Sequence, residues 1–317
     1  MPRIGSSDLD VFPLNLGGNV FGWTADQAQS EAVLDAFLAG GGNFVDTADG
    51  YSAWVPGNTG GESELIIGEW MNKRGNRGDV VVATKVSQHP DFRGLAYDNV
   101  LAAADASLTR LGTDHIDLYY AHFDDENTPL EETVSAFDAL VKAGKIRYVG
   151  ISNYNADRVD QWFEIAERDG YALPVALQPQ YSLAKRQPYE RELAPRVAAH
   201  GLSVAPYFSL AAGFLTGKYR TAADIKGTAR EGQLGGYVSD AAFGVIDALE
   251  TIAAEHEAAI ASVSLAWLLA KPGIVAPIAS ARTTEQLPDL LAAASITLTA
   301  DEVAALDAAS SKIEEKK

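Results

Sequence analysis

Eight short apolar runs, each followed by a stretch with helical spacing, limit what this chain can fold into. They lie at 14–18 (LNLGG), 43–46 (NFVD), 80–85 (VVVATK), 116–122 (IDLYYAH), 147–152 (RYVGIS), 175–180 (VALQPQ), 203–208 (SVAPYF) and 273–278 (GIVAPI). Short β-branched and aromatic runs of this kind read as strands buried on both faces. The stretches between them have helical periodicity. Residues 28–38 put Val33, Leu34, Phe37 and Leu38 on one side, 100–111 do so with Val100, Leu101, Ala104, Leu108 and Leu111, and 133–141 with Val134, Phe137, Leu140 and Val141. Thr128-Pro129-Leu130-Glu131 and Thr299-Ala300-Asp301-Glu302 have the order of helix starts, and Gly40, Gly112 and Gly144 stand at helix stops. Strands of this type joined by helices predict a parallel α/β sheet. Eight units in 317 residues without an obvious linker favour a closed (β/α)8 TIM barrel, with residues 1–317 as one domain. A hairpin is expected before the first strand and an extra helix over 299–310.

The charge balance restricts partners. Asp and Glu number 43 against 25 Lys and Arg, a formal net charge of -18. Such a field repels phosphate backbones and anionic lipid, so no nucleic acid and no membrane is expected as a partner. An anionic cofactor would need local cations. With no cysteine there is no disulfide, thiol nucleophile or thiolate metal site, which fits a reducing, cytoplasmic setting. The opening MPRIGSSDLDVF lacks a basic flank followed by an apolar core, so no leader peptide is expected. His89, His115, His122, His200 and His256 form no HxH or HxxxH pair, so no metal site is expected either.

Strand C-termini of a barrel converge on one face, where chemistry is done. Asp46, Lys85 and His122 each close one of the runs, and Tyr51 follows Asp46 closely. Singly, each has a plain structural explanation: a turn cap, a strand-end lysine, a core histidine, a rim aromatic. Together they form a coherent proton-transfer set. Asp46 can hold Lys85 by a charge-assisted hydrogen bond. A nearby ammonium is expected to lower the phenol pKa of Tyr51. His122 can donate to a carbonyl oxygen or relay a proton. Protonating a carbonyl oxygen is half of a reduction, and the hydride requires a cofactor. Loops at 56–61 and 227–236 are expected at the same rim.

The segments NFVDTADGYS, VVVATKV, LTRLGTDHIDLYYAH, LVKAGKIRYVGISNYN, LQPQYSL, LAAGFLTGKY and PIASARTTEQL occur in the order found in aldo-keto reductases. The chain resembles that family over nearly its whole length, near the branch of potassium-channel β-subunit-like members. The resemblance implies that Tyr51 is the general acid, that Lys85 and Asp46 tune it, and that His122 orients the carbonyl. It also implies a nicotinamide site. Ser152, Asn153 and Gln178 would hold the carboxamide, and Tyr207 would stack on the ring. Phe208, Ser209, Leu210 and Gly213 would follow the pyrophosphate, and Lys218 and Arg230 would meet its charge. Ser280, Arg282 and Gln286 would surround the adenosine 2′-phosphate. Ser280 and Leu290 stand where relatives that grip this phosphate often carry lysine and asparagine. The expectation is therefore NADPH, through Arg282, with some use of NADH.

Trp23, Trp54, Phe92 and Phe123 are the expected walls of a pocket for a small-molecule carbonyl substrate, and no basic cluster near them points to an acidic one. The favoured activity is reduction of an aldehyde or ketone, or the reverse alcohol oxidation. One alternative is a cofactor-binding regulatory subunit with little turnover. Another is a lyase using Lys85 as a Schiff-base nucleophile, which an ion pair with Asp46 would suppress. The oligomeric state is left open.

Overall fold

The apolar runs form one ring of parallel strands in the computed structural model, which describes residues 1–228 and 231–313. In chain order the strands are β1 (Asn15–Gly17), β2 (Phe44–Asp46), β3 (Val81–Val86), β4 (Gln88–His89), β5 (Phe92–Arg93), β6 (Ile116–Ala121), β7 (Ile146–Ser152), β8 (Pro174–Gln178), β9 (Ser203–Val204) and β10 (Ile278–Ala279). β4 and β5 make a small antiparallel hairpin, and the other eight pair in the order β10-β1-β2-β3-β6-β7-β8-β9. The ring closes through a parallel bridge between Val204 and Ile274. There the Val204 N–H donates to the Gly273 carbonyl at 2.8 Å, and the Val275 N–H to the Val204 carbonyl at 3.0 Å. The last two barrel strands are shorter than their runs suggest. Pro206 and Pro277 interrupt them, and proline has no N–H to give the ladder.

The helices are α1 (Gln27–Ala39), α2 (Glu62–Arg74), α3 (Tyr97–Leu111), α4 (Leu130–Lys142), α5 (Ala156–Asp169), α6 (Ala194–His200), α7 (Ala222–Ile225), α8 (Glu231–Leu234), α9 (Asp240–Glu255), α10 (Ile260–Leu269), α11 (Leu287–Ala292) and α12 (Ala300–Ser310). From α1 to α6 each helix packs on the next, and α10, α11 and α1 complete the outer layer. α12 is the expected C-terminal helix, with its Thr299–Glu302 capping box formed. It packs on α9, which the periodicity reading did not single out. The start of α4 differs from expectation. Pro129, not Thr128, is its cap residue and has no polar side chain to make a cap bond, while the Thr128 hydroxyl donates to Asp125 Oδ2 at 2.8 Å. The 227–236 segment contains α8 rather than only loop. Among the described residues no single helix is long and apolar enough to cross a membrane.

Alternation along the strands divides the core in two. Val45, Val82, Val86, Tyr119, Ala121, Val149, Ile151 and Leu177 join the larger core beneath the helices. Phe44, Ala83, Leu118, Tyr120, Ala176 and Ala205 fill the barrel interior. Two residues on from an interior residue, the side chain points inward again. So Phe44 leads to Asp46, Ala83 to Lys85, Tyr120 to His122, Ala176 to Gln178 and Ala205 to Tyr207. The N-terminal hairpin closes the other end of the barrel. The Ile4 N–H donates to the Leu9 carbonyl at 3.0 Å, and Ile4, Leu9 and Val11 are buried against the interior residues.

Candidate active site

The C-terminal ends of the strands open into a cavity of about 1430 Å³. Register sets its floor: Asp46 lies beside Gly17 and Ala83, Lys85 beside Tyr120, and Ser152 beside Gln178. Beyond β2 the chain continues to follow β3. The Thr47 N–H donates to the Ala83 carbonyl at 2.8 Å and the Asp49 N–H to the Lys85 carbonyl at 3.1 Å. A turn with the Tyr51 N–H on the Ala48 carbonyl then swings Tyr51 over Lys85. Ser52, at φ 68°, fixes the turn by donating its hydroxyl to the Phe21 carbonyl at 2.8 Å.

Lys85 is fully buried, and its Nζ donates to Asp46 Oδ2 at 2.6 Å, the Thr47 carbonyl at 2.7 Å and the Tyr51 hydroxyl at 3.0 Å. An ammonium has three protons, so each has an acceptor. A lysine held this way has no lone pair to offer a carbonyl carbon, which disfavours Schiff-base chemistry. Gln178 Nε2 donates to the other oxygen, Asp46 Oδ1, at 2.8 Å. The Tyr51 hydroxyl lies 3.4 Å from Asp46 Oδ2. The electrostatics correct one expectation: the Tyr51 pKa is raised well above the phenol value. Burial is the main cause and the Asp46 carboxylate the next. Burial and the neighbouring carboxylate therefore keep the proton on the phenol at neutral pH. Burial also pulls Lys85 below its usual range against the opposing pull of Asp46. The His122 pKa is driven well below the usual imidazole value, first by burial and then by Lys85, so the ring is neutral. Its Nδ1 is buried without a hydrogen-bond partner, and the side chain lines the cavity.

The strands divide the rim into two halves. The last residue of β8 and the loops after β7, β9 and β10 bring Asn153, Gln178, Tyr207, Phe208, Ser209, Leu210, Gly213, Lys218, Ser280, Arg282 and Gln286 to the cavity. Ser152 is buried beneath this surface. Its hydroxyl donates to the Gln178 carbonyl at 2.8 Å and accepts from Asn153 Nδ2 at 3.1 Å. Asn153 adopts φ 57° and accepts from the Tyr207 hydroxyl at 2.6 Å, which couples the amide to the aromatic ring. The loop after β9 contains four left-handed residues, Phe208, Ala211, Ala212 and Gly213. A Cβ on Gly213 would lie 3.1 Å from Lys218 Nζ, so the ammonium sits close over the turn. Ser280 donates to Asn19 Oδ1 at 2.6 Å, an anchor absent from the sequence reading. Arg230 lies outside the described residues.

The other half follows β1, β2, the β4–β5 hairpin and β6. Trp23 and Trp54 meet edge to face at 5.7 Å between ring centres, and Trp54 meets Tyr51 at 6.3 Å. Trp54 is 52% exposed and Phe123 41%, so they form an open apolar mouth. Phe92 corrects the expected wall. It packs on the core and against His89 at 5.3 Å, and it does not line the cavity. Alternation in the hairpin sends the apolar Phe92 to the core and its neighbour Arg93 to the cavity, where Gln88 and Pro90 also lie. The His89-Pro90-Asp91 turn was the signal in the sequence for this hairpin.

At the floor of the parallel barrel a buried lysine–carboxylate pair thus lies beside a protonated phenol and a neutral imidazole. The chain belongs to the aldo/keto reductase family: the family's sequence model matches residues 13–311. It is 32% identical to norsolorinic acid reductase B of Aspergillus parasiticus, over 95% of this chain and 81% of that protein. It is 34% identical to the uncharacterized oxidoreductase YrpG of Bacillus subtilis, over 93% of this chain and 91% of the relative. A probable voltage-gated potassium channel subunit beta of Oryza sativa subsp. japonica is 32% identical, over 90% of this chain and 88% of its own length. The chain is thus an oxidoreductase of a family that works with nicotinamide cofactors.

Proposed function

We propose that this protein uses NADPH to reduce an aldehyde or ketone to the alcohol, as a single barrel domain in the cytoplasm, with Tyr51 as general acid. One observation carries the reading: the buried Lys85 ammonium donates at once to Asp46, the Thr47 carbonyl and the Tyr51 hydroxyl. That arrangement fixes the phenol oxygen and holds positive charge beside it. Tyr51 donates its proton to the carbonyl oxygen as negative charge develops there. Lys85 offsets the charge then left on the phenol oxygen. His122, neutral, orients the carbonyl oxygen on the other side. Asp46 keeps Lys85 charged and in place.

The cofactor half fits a dinucleotide. Asn153, Gln178 and Ser152 would hold the carboxamide and Tyr207 the ring. The loop from Phe208 through Ser209 and Leu210 to Gly213 would hold the pyrophosphate with Lys218. Ser280, Arg282 and Gln286 would take the 2′-phosphate, Arg282 as its bidentate partner. When bound, the cofactor supplies the hydride. Trp23, Trp54 and Phe123 suit a carbonyl with an apolar body. The test follows NADPH absorbance with a panel of aldehydes and ketones. The parent should consume NADPH, and Tyr51→Phe should lose at least about a hundredfold in rate while binding NADPH normally. Equal loss of both functions would make Tyr51 structural.

A second reading has support from the relatives named as channel β subunits. A cofactor-binding regulatory subunit would bind NADPH tightly yet turn over far below the usual ~1–10³ per second on every carbonyl in the panel.

A further inference from the structure

We infer that Arg93 is a specificity-determining residue that selects carbonyl substrates bearing their own carboxylate. The inference rests on the reductase reading and names a substrate class for the same site.

The reason is an imbalance of charge. In a chain with 43 acidic and 25 basic residues, an arginine readily finds a carboxylate. Among the described residues every arginine but two stands within ion-pair distance of one. The exceptions are Arg93 and Arg282, and both line the same cavity. Lys218, likewise without a carboxylate partner among the described residues, also lines it, stacked over the Tyr219 ring at 4.9 Å. Lys218 and Arg282 fall on the dinucleotide half, where the phosphates account for them. Arg93 falls on the opposite half, in the β4–β5 hairpin.

Its surroundings narrow the ligand. The cavity wall on that side comes from Trp23, Trp54, Pro90 and Phe123, with Gln88 beside Arg93. Among the described residues, Arg93 is the only charged lining residue contributed by the loops after β1, β3 and β6. Asp46, from β2, is already neutralised by Lys85. A guanidinium presents a planar fork that matches a carboxylate, and its weak hydration suits a place beside aromatic rings. The shape and charge together fit an aromatic carbonyl compound with a carboxylate remote from the reacting carbon. The aromatic body lies between the tryptophans and Phe123, the carbonyl meets Tyr51 and His122, and the carboxylate meets Arg93. No bond to the carboxylate is made or broken, so Arg93 acts on binding and orientation alone.

The experiment compares 3- and 4-carboxybenzaldehyde and 6-carboxy-2-naphthaldehyde with their neutral methyl esters, by kcat/KM with NADPH. In the parent, at least one acid is preferred over its ester by tenfold or more, mostly through KM, and the preference shrinks with added salt. In Arg93→Gln the acid-to-ester ratio falls to near one, and Arg93→Lys retains part of it. A parent ratio below twofold for all three pairs, or a ratio that survives Arg93→Gln, overturns the inference and leaves the reductase reading intact. If no aldehyde is reduced, the reductase reading fails. Calorimetric binding of 6-carboxy-2-naphthaldehyde then decides the inference. Tenfold weaker binding to Arg93→Gln than to the parent upholds it, and equal binding overturns it.

Discussion

Replacing Lys85 by methionine tests the buried pair at the centre of the site. Lys85 and Asp46 have side chains 0% and 1% exposed and meet at 2.6 Å. Without the ammonium, Asp46 stays buried with Gln178 Nε2 at 2.8 Å and the Tyr51 hydroxyl at 3.4 Å as its remaining side-chain donors. Removing one partner of a buried pair costs about 3–5 kcal/mol, because an uncompensated charge remains. The two retained donors put Lys85→Met at about 3 kcal/mol, the lower end of that range. Asp46→Asn costs a similar amount for the mirror reason. In Lys85→Met/Asp46→Asn neither charge remains, and Gln178 can still donate to the amide oxygen that replaces the carboxylate. The double change therefore costs far less than the sum of the two, a coupling of at least about 2 kcal/mol. Reduction does not return with stability, because the phenol has lost its cation. Urea unfolding followed by far-UV circular dichroism measures the four stabilities, and NADPH consumption measures activity. Lys85→Met within about 1 kcal/mol of the parent, or single effects that simply add, would mean that Lys85 and Asp46 are not a coupled buried pair.

Other perturbations probe the remaining parts. His122→Ala should slow ketone reduction more than reduction of reactive aldehydes, because ketones depend more on carbonyl orientation; a uniform loss in kcat/KM would count against that role. Arg282→Ala should weaken NADPH at least tenfold by calorimetry and NADH much less, whereas equal weakening would remove Arg282 from the 2′-phosphate. Asp49 is buried, with Oδ1 unpartnered, and burial, then the charge of Glu64, push its pKa up to about 7. A raised carboxylate pKa favours folding below the unfolded value and loses that advantage as pH climbs through the folded value. The parent should therefore lose roughly 3 kcal/mol between pH 5 and 8 that Asp49→Asn does not lose, read from urea midpoints. Parallel pH profiles would place the Asp49 carboxylate in contact with water.

What the sequence made legible was whatever depends on period and order. Asp46, Lys85 and His122 were readable because strand alternation and the end of each apolar run put them inside the barrel at one rim. Tyr51 came with the turn that follows Asp46. Less legible was whatever depends on a competing partner. The Tyr51 pKa direction depends first on how deeply the phenol is buried and then on how close the Asp46 carboxylate lies, and neither can be read from residue order. Thr128 was expected to cap α4 and bonds Asp125 instead. Phe92 and Arg93 are neighbours, and a one-residue difference in facing exchanges an aromatic wall for a cation. The final barrel strand was drawn through Pro277, where the missing N–H delays regular pairing until Ile278.

The most direct measurement is transfer of deuterium from NADPH carrying deuterium at both C4 positions to the carbonyl carbon of a substrate, run on the parent and Tyr51→Phe at saturating cofactor. One deuterium is expected in the parent's alcohol product and, from Tyr51→Phe, almost no product despite normal NADPH binding. Undiminished labelled alcohol from Tyr51→Phe would contradict Tyr51 as the proton donor, and unlabelled alcohol from the parent would contradict hydride transfer itself.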